Sequence, residues 1–312
     1  MSLQRALELA AAAKGRGYPK PTVGAVLVRD GEIVGEGVTE TGGRHGEAVA
    51  LAKAGERARG ATLYVTLEPC AHHGTTPPCA DALVSAGVAK VVAGALDPNP
   101  EAAGGLERLK AAGVEVEHAD SEAARRQNET WRTWVVEQRP FVTYKAAATL
   151  DGRVTVPGSR WVSGEASRRL VHELRASSDA VAVGMGTVRL ENPRLDARDV
   201  ETPRQPRRLA FGSGPLPPGS ELELRSGSLE EELRALAADG VQSLLLEGGP
   251  TLAGAFLRAG LVDKLLLFVA PVLSGAGPGL VDALDGPIRL EALTTRAVGG
   301  DVLVEAYLRP VA

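Results

Sequence analysis

The sequence is poor in several residue types that common functions depend on. Its 312 residues include only two cysteines, two methionines and three tryptophans, and aromatic residues make up 4%. So few aromatics argue against the rows of base-stacking platforms that bind single-stranded nucleic acid. Basic charge is not in surplus: 35 Lys and Arg against 39 Asp and Glu leave −4 at pH 7, with no field to gather phosphate backbones. No nucleic-acid partner is expected. Long apolar runs are missing as well. The strongest, Leu265 to Leu273, is too short to cross a bilayer and contains Pro271. The first residues alternate charged and apolar types at helical spacing, without the unbroken apolar core of a secretory signal. The expected setting is the cytoplasm, with no membrane partner, where a disulfide is the less favoured use of two cysteines.

The length suits two domains, each able to bury its own core. After an opening helix, Thr22 to Val28 and Glu32 to Val38 read as strands joined by the hairpin signal Asp30-Gly31. A helix over His45 to Ala58, a strand over "ATLYVTL", a short helix, the strand "AKVVAGAL" and a further helix-strand pair complete a three-layer α/β pattern. Ser121 to Gln138 reads as one helical stretch carrying Trp131 and Trp134, for the core or for domain docking. Arg139-Pro140 breaks it, which places the domains at 1–139 and 140–312. The second half again alternates: strands at "FVTYKAAATL", "DAVAVGMGTV", "RRLAF", "SLLL" and "KLLLFVAPVL", with helices at "SLEEELRALAADG" and after Gly249.

Both cysteines, Cys70 and Cys79, lie in "EPCAHHGTTPPC" with two of the five histidines. His45 and Glu47 form His-x-Glu at a helix start, and the strand before Glu68 delivers Cys70 at its C-terminal end, where α/β sheets place chemistry. One imidazole and two thiolates give three zinc ligands with the fourth position open for water, a catalytic arrangement. Glu47, beside a ligand but not one itself, suits proton transfer from that water to a leaving amine. His-x-Glu followed by Pro-Cys and a second cysteine is the zinc deaminase signature, although here eight residues separate the cysteines. The competing reading is a closed structural site with His72 or His73 as fourth ligand. In the second half, Gly184-Met185-Gly186 is a weak phosphate-loop signal, and Glu247-Gly248-Gly249 before a helix lets a backbone approach a pyrophosphate.

Taken in order, "PTVGAVLV", "HGE", "TLEPCAHHGTTPPC" and "DPNP", then "LDGRV", "SRWVSG", "LRASSDAVAVGMGTV", "NPRL" and "LLLEGGPTLAGAFLRAGLVD", resemble the bifunctional deaminase/reductase of riboflavin biosynthesis over nearly the whole chain. The resemblance implies a cytidine-deaminase-like N-terminal domain holding Zn2+ and a dihydrofolate-reductase-like C-terminal domain using NADPH. It also implies a phosphoribosyl-pyrimidine substrate, deaminated on its ring and then reduced from ribosyl to ribityl, and a homo-oligomer. The alternative is a monofunctional reductase whose first domain keeps zinc only for structure.

By motif position the resemblance places Lys145, Ala147, Trp161, Thr187, Glu191, Ser213, Gly249, Pro250, Thr251, Leu252, Ala253, Gly254 and Ala255 along the cofactor. It places Ser159, Arg175, Leu195, Arg198 and Glu247 at the substrate, the arginines suiting its phosphate by forked hydrogen bonding. His72 matches the deaminase pocket histidine. The sequence departs from the family's pattern at Lys20, Val38 and Thr75, and Lys20 is expected to supply the positive charge for the substrate phosphate that Thr75 does not. Asp151 is read as structural before catalytic.

Overall fold

The computed structural model describes residues 2–73, 77–202 and 204–311. The chain divides into two compact units, one running to Glu137 and taking in Val311, the other Gln138–Pro310.

In the first unit, α1 (Ser2–Ala12) precedes the hairpin β1 (Gly24–Arg29) and β2 (Glu32–Val38), turned by Asp30 and Gly31 at φ 51° and 82°. α2 (Gly46–Ala54) gives way to a 3-10 turn at Gly55–Ala58, so the helix expected to reach Ala58 in one piece changes form at Gly55, where φ is 54°. Then come β3 (Thr62–Val65), α3 (Cys79–Ser85), β4 (Lys90–Ala93), α4 (Gly105–Ala111), β5 (Glu115–His118), α5 (Glu122–Gln127) and α6 (Glu129–Glu137). The five strands lie in the order β2-β1-β3-β4-β5, antiparallel across the hairpin and β1-β3, parallel from β3 onward. β1 is sandwiched: Gly24 meets α1, while Ala25 and Leu27 join a core with Ala50 of α2, Leu83 of α3 and Leu109 of α4.

The helical stretch expected over Ser121 to Gln138 is two helices, broken at Asn128. The buried Asn128 side chain accepts from Thr22 N (2.9 Å) and donates to Thr22 O (3.1 Å), pairing the main chain just before β1. A residue that hydrogen-bonds a distant backbone in this way ends a helix that propensity alone would continue. Trp131 is buried in the core of this unit, with Trp134 packed against it.

The second unit contains β6 (Phe141–Thr149), α7 (Glu165–Ala176), β7 (Ala180–Gly184), α8 (Met185–Glu191), β8 (Arg207–Phe211), β9 (Glu223–Arg225), α9 (Leu229–Ala238), β10 (Ser243–Leu246), α10 (Pro250–Arg258), β11 (Lys264–Ala270), β12 (Glu291–Val298) and β13 (Asp301–Tyr307). Its eight strands run β12-β13-β11-β6-β10-β7-β8-β9, with β12-β13-β11 antiparallel and the rest parallel. α9 and α10 cover one face through Leu233, Leu236 and Phe256, and α7 covers the other, packing Val171 on Leu266 and Phe268. The start of β6 is pinned by buried Asp263, whose Oδ2 accepts from Val142 N (2.7 Å) while both its oxygens take the Arg139 fork.

The strand pattern at "DAVAVGMGTV" ends sooner than expected. Gly184 is the N-cap of α8, so Gly184-Met185-Gly186 is a direct strand-to-helix junction and no loop. α7 and the β12–β13 hairpin were not expected, although Gly299-Gly300 between two alternating segments is a legible turn signal. No helix among the described residues is long and apolar enough to cross a membrane.

Candidate metal centre and reductive cavity

His45 is the N-cap of α2, and Glu47 lies in that helix's first turn. The helix sits close on β2 because Gly37 has no side chain: a Cβ there would lie 2.1 Å from Gly46 O. Cys70 follows β3 and Cys79 opens α3, with Cys79 N donating to Cys70 Sγ at 3.3 Å. His45 Nδ1 is 3.2 Å from Cys79 Sγ and 3.6 Å from Cys70 Sγ, and the three ligand atoms lie within 4.8 Å of one another.

The Cys70 thiol is drawn down to about 4, first by the Cys79 thiol donating to it, with burial opposing and His45 assisting; the same contact and burial push Cys79 up. Two thiols cannot both ionise this close together unless a cation replaces their protons, so the donor set suits a divalent soft-to-borderline metal. Hydrogen bonding to Cys70 also raises His45, against burial and the nearby charge of Lys20. Glu47 is 3% exposed, its pKa raised by burial, and its Oε2 has no hydrogen-bond partner. A buried carboxylate oxygen without a partner beside three convergent ligands is a proton acceptor awaiting a donor.

Glu68, not among the residues expected to act, anchors Cys70. Its buried carboxylate accepts from Asp97 N (3.1 Å) and Leu106 N (3.0 Å), tying the end of β3 to the end of β4 and the start of α4. Gly105 completes the fit, since a Cβ there would lie 1.6 Å from Pro69 O. Gly105→Ala should therefore displace the Pro69-Cys70 main chain and lower zinc affinity, read as zinc lost on dialysis; full zinc retention at the wild-type affinity would refute this link. Lys20 and His72 are exposed. Val38 ends β2, half-buried, and Thr75 lies outside the described residues.

The second unit holds a cavity of about 830 Å3 along the C-terminal ends of β6, β7 and β10. Of the expected cofactor residues, Lys145, Ala147, Trp161, Thr187, Glu191, Gly249 and Pro250 line it, as do Arg175, Leu195, Arg198 and Glu247 from the expected substrate set. Others are elsewhere. Ala253 and Gly254 are buried on the far side of α10, and Leu252 packs on Gly184 and Gly248. Thr251 and Ala255 do not line the cavity. The Ser159 hydroxyl turns back on its own loop, donating to Trp161 O at 2.8 Å. Ser213 is exposed beyond β8, its carbonyl accepting from Arg189.

Arg175 faces a carboxylate of the protein. Its fork is already taken: Nε and Nη2 donate to Glu247 at 2.6 and 3.0 Å, and Nη1 donates to Asp196 O at 3.1 Å. Lys145 Nζ adds a third contact to the same carboxylate at 3.0 Å. Burial pushes Glu247 up, but Lys145 and then Arg175 outweigh it and hold the carboxyl down to about 2. Arg175 thus orients Glu247, with three of its five N–H donors spent on the protein.

A cofactor fits the remaining space. α10 starts at Pro250 with no side-chain cap, leaving main-chain N–H groups and the positive helix end beside the cavity. A Cβ on Gly249 would meet only Thr187 Oγ1, at 3.8 Å, so the glycine keeps that approach open. Asp151 is structural, accepting from Thr149 Oγ1 and from Ser274 N and Gly275 N.

Residues 140–304 match the family described as RibD C-terminal domain, and residues 1–95 match the cytidine and deoxycytidylate deaminase zinc-binding region. The chain is 42% identical to the riboflavin biosynthesis protein RibD of Mycobacterium tuberculosis, over 97% of this chain and 96% of that protein. Among solved structures, RibD of Acinetobacter baumannii superposes with a TM-score of 0.85 at 34% identity, covering 98% and 97% of the two chains. A diaminohydroxyphosphoribosylaminopyrimidine deaminase/5-amino-6-(5-phosphoribosylamino)uracil reductase of Thermotoga maritima gives 0.83 at 34%, with the same coverage. Similar along nearly its whole length and in the fold of both units, the chain belongs to the RibD family of riboflavin biosynthesis proteins, which join a zinc-binding deaminase to a reductase.

Proposed function

We propose that residues 1–139 deaminate 2,5-diamino-6-(5-phosphoribosylamino)pyrimidin-4-one and that residues 140–312 reduce the ribosyl side chain of the product to ribityl with NADPH. Glu47 carries the reading for the first unit, because a structural zinc site gives no reason to bury a carboxylate with a free oxygen beside its ligands. His45, Cys70 and Cys79 would hold the metal, which when bound makes water nucleophilic near neutral pH. Glu47, buried beside those ligands, would hold and move the proton between the attacking water and the leaving ring amine, so that hydrolysis exchanges the ring amine for a carbonyl oxygen and releases ammonia. Lys20 and His72, both exposed, are assigned to the substrate.

In the second unit Ala147, Trp161, Thr187 and Glu191 would hold the cofactor, which would supply the hydride, with Gly249 and Pro250 suited to its pyrophosphate, and Leu195, Arg198 and Glu247 are left for the substrate. Hydride transfer to the ribose carbonyl carbon needs proximity and exclusion of water, and Lys145 is held at Glu247 to orient the reacting end. The reading includes the cytoplasm as the setting and a homo-oligomer as the assembly. NADPH oxidation by the purified chain on the deaminated substrate, unaffected by competing RNA, tests it; no oxidation, or inhibition by RNA, would count against it.

A further inference from the structure

The segment between α8 and β8 carries three non-glycine residues at positive φ within eight positions: Asn192 at 40°, Leu195 at 54° and Asp199 at 61°. Asparagine takes this conformation readily at a helix end, as Asn192 does after α8, but a branched side chain such as that of Leu195 does not. The strain sits at the cavity. Leu195, 3% exposed, lines it together with Arg198 and Asp199. Such a shape persists only where its surroundings over-determine it. Among the described residues no main-chain to main-chain hydrogen bond ties residues 193–199, so side chains from elsewhere hold them. Arg208 Nη1 donates to Arg194 O at 3.3 Å, and Arg175 Nη1 to Asp196 O at 3.1 Å. Gln205 takes both main-chain groups of Ala197, its Oε1 accepting from Ala197 N at 2.9 Å and its Nε2 donating to Ala197 O at 2.8 Å. We infer that Gln205 is a positioning residue of the reductase, whose amide holds the strained segment in the shape that brings Leu195 and Arg198 to the cavity.

The amide meets Ala197 as a neighbouring strand would, one donor and one acceptor against one acceptor and one donor. Ala197 is 3% exposed, so without Gln205 its N–H and carbonyl are left buried and unpaired. Gln205 is itself well placed. It precedes buried Pro206 and the start of β8, where Arg207 N donates to Asp179 O at 2.9 Å. Gln205 does not line the cavity, so it acts through Ala197, which stands between Leu195 and Arg198 in the chain. Removing the amide lets Leu195 relax out of the left-handed region. Only the fraction of molecules still in shape then binds, and the apparent dissociation constant rises by the inverse of that fraction.

The inference rests on the reductase reading, in which Leu195 and Arg198 meet the pyrimidine substrate. NADPH oxidation on the deaminated substrate is measured in the full chain for the wild type, Gln205→Ala and Gln205→Glu, with each reactant varied in turn. In Gln205→Ala the KM for the pyrimidine should rise about tenfold, the scale of one or two lost hydrogen bonds, with kcat and the KM for NADPH within about twofold of the wild type. Gln205→Glu keeps the length and the acceptor for Ala197 N but turns a carboxylate oxygen on Ala197 O, and should raise the same KM. Hydrogen exchange at the Ala197 amide reads the loop without turnover: slow in the wild type, fast in Gln205→Ala. Gln205 is exposed, so both variants keep the fold. An unchanged pyrimidine KM in both variants, an Ala197 amide equally slow in Gln205→Ala, or equal rises in both KM values with a fall in kcat overturns the inference. No NADPH oxidation by the wild type overturns the reductase reading and the inference with it, while oxidation with an unchanged pyrimidine KM in both variants overturns the inference alone.

Discussion

Glu47→Gln should abolish ammonia release, lowering the deamination rate by about 10²–10⁴-fold or more, with zinc content and NADPH oxidation on the deaminated substrate unchanged. The amide matches the carboxyl in shape, so the packing around this buried position is kept and only the proton carrier is removed. His45 is placed by its N-cap position on α2, and the cysteines meet through the Cys79 N–H. The two activities should therefore separate. Coupled loss of zinc would mean that Glu47 organises the ligands, and retained deamination would mean that the proton travels another way. Metal analysis together with two independent rate assays separates these outcomes.

Glu247→Gln should have the largest effect on stability. It leaves Lys145 and Arg175 half-buried or deeper with one carboxylate charge gone between them, and removing one partner from a buried ionic cluster costs about 3–5 kcal/mol. Denaturant unfolding followed by Trp161 emission should show it, along with loss of NADPH oxidation. The same cluster sets a pH dependence. Because the folded pKa is depressed to about 2, below the ordinary carboxyl value, its contribution is fully present above about pH 5 and is lost as the pH falls through about 4 toward 2. The variant should lack that acid limb, and an unchanged acid transition would show that other carboxylates govern it.

The contrast between the two sites explains what could be read from the sequence. The metal centre was legible because its chemistry is local: His45 and Glu47 lie two apart, Cys70 and Cys79 sit in one loop, and such residue types have few other uses together. The turn at Asp30-Gly31 was legible for a similar reason, two residues suited to positive φ between alternating segments. The reductive cavity was legible only as a set of positions. Which partner an arginine finds depends on residues far along the chain: Glu247 is 72 residues from Arg175 and 102 from Lys145. The resemblance put Arg175 at the cavity, but its partner there is a carboxylate of the protein. Asn128 teaches the same lesson for secondary structure, since the helix break depends on Thr22, 106 residues away. Ala253 and Gly254 sit on the buried side of a helix whose start faces the cavity, an arrangement set by the packing of the whole helix and not by its first residues.

The most direct test of the account is a product count. The purified zinc-loaded chain is given the diaminopyrimidine phosphoribosyl substrate and NADPH, and ammonia and NADP+ are measured over time. One ammonia per NADP+, with ammonia appearing first, is the expected result; NADP+ formed on this substrate without ammonia would contradict it.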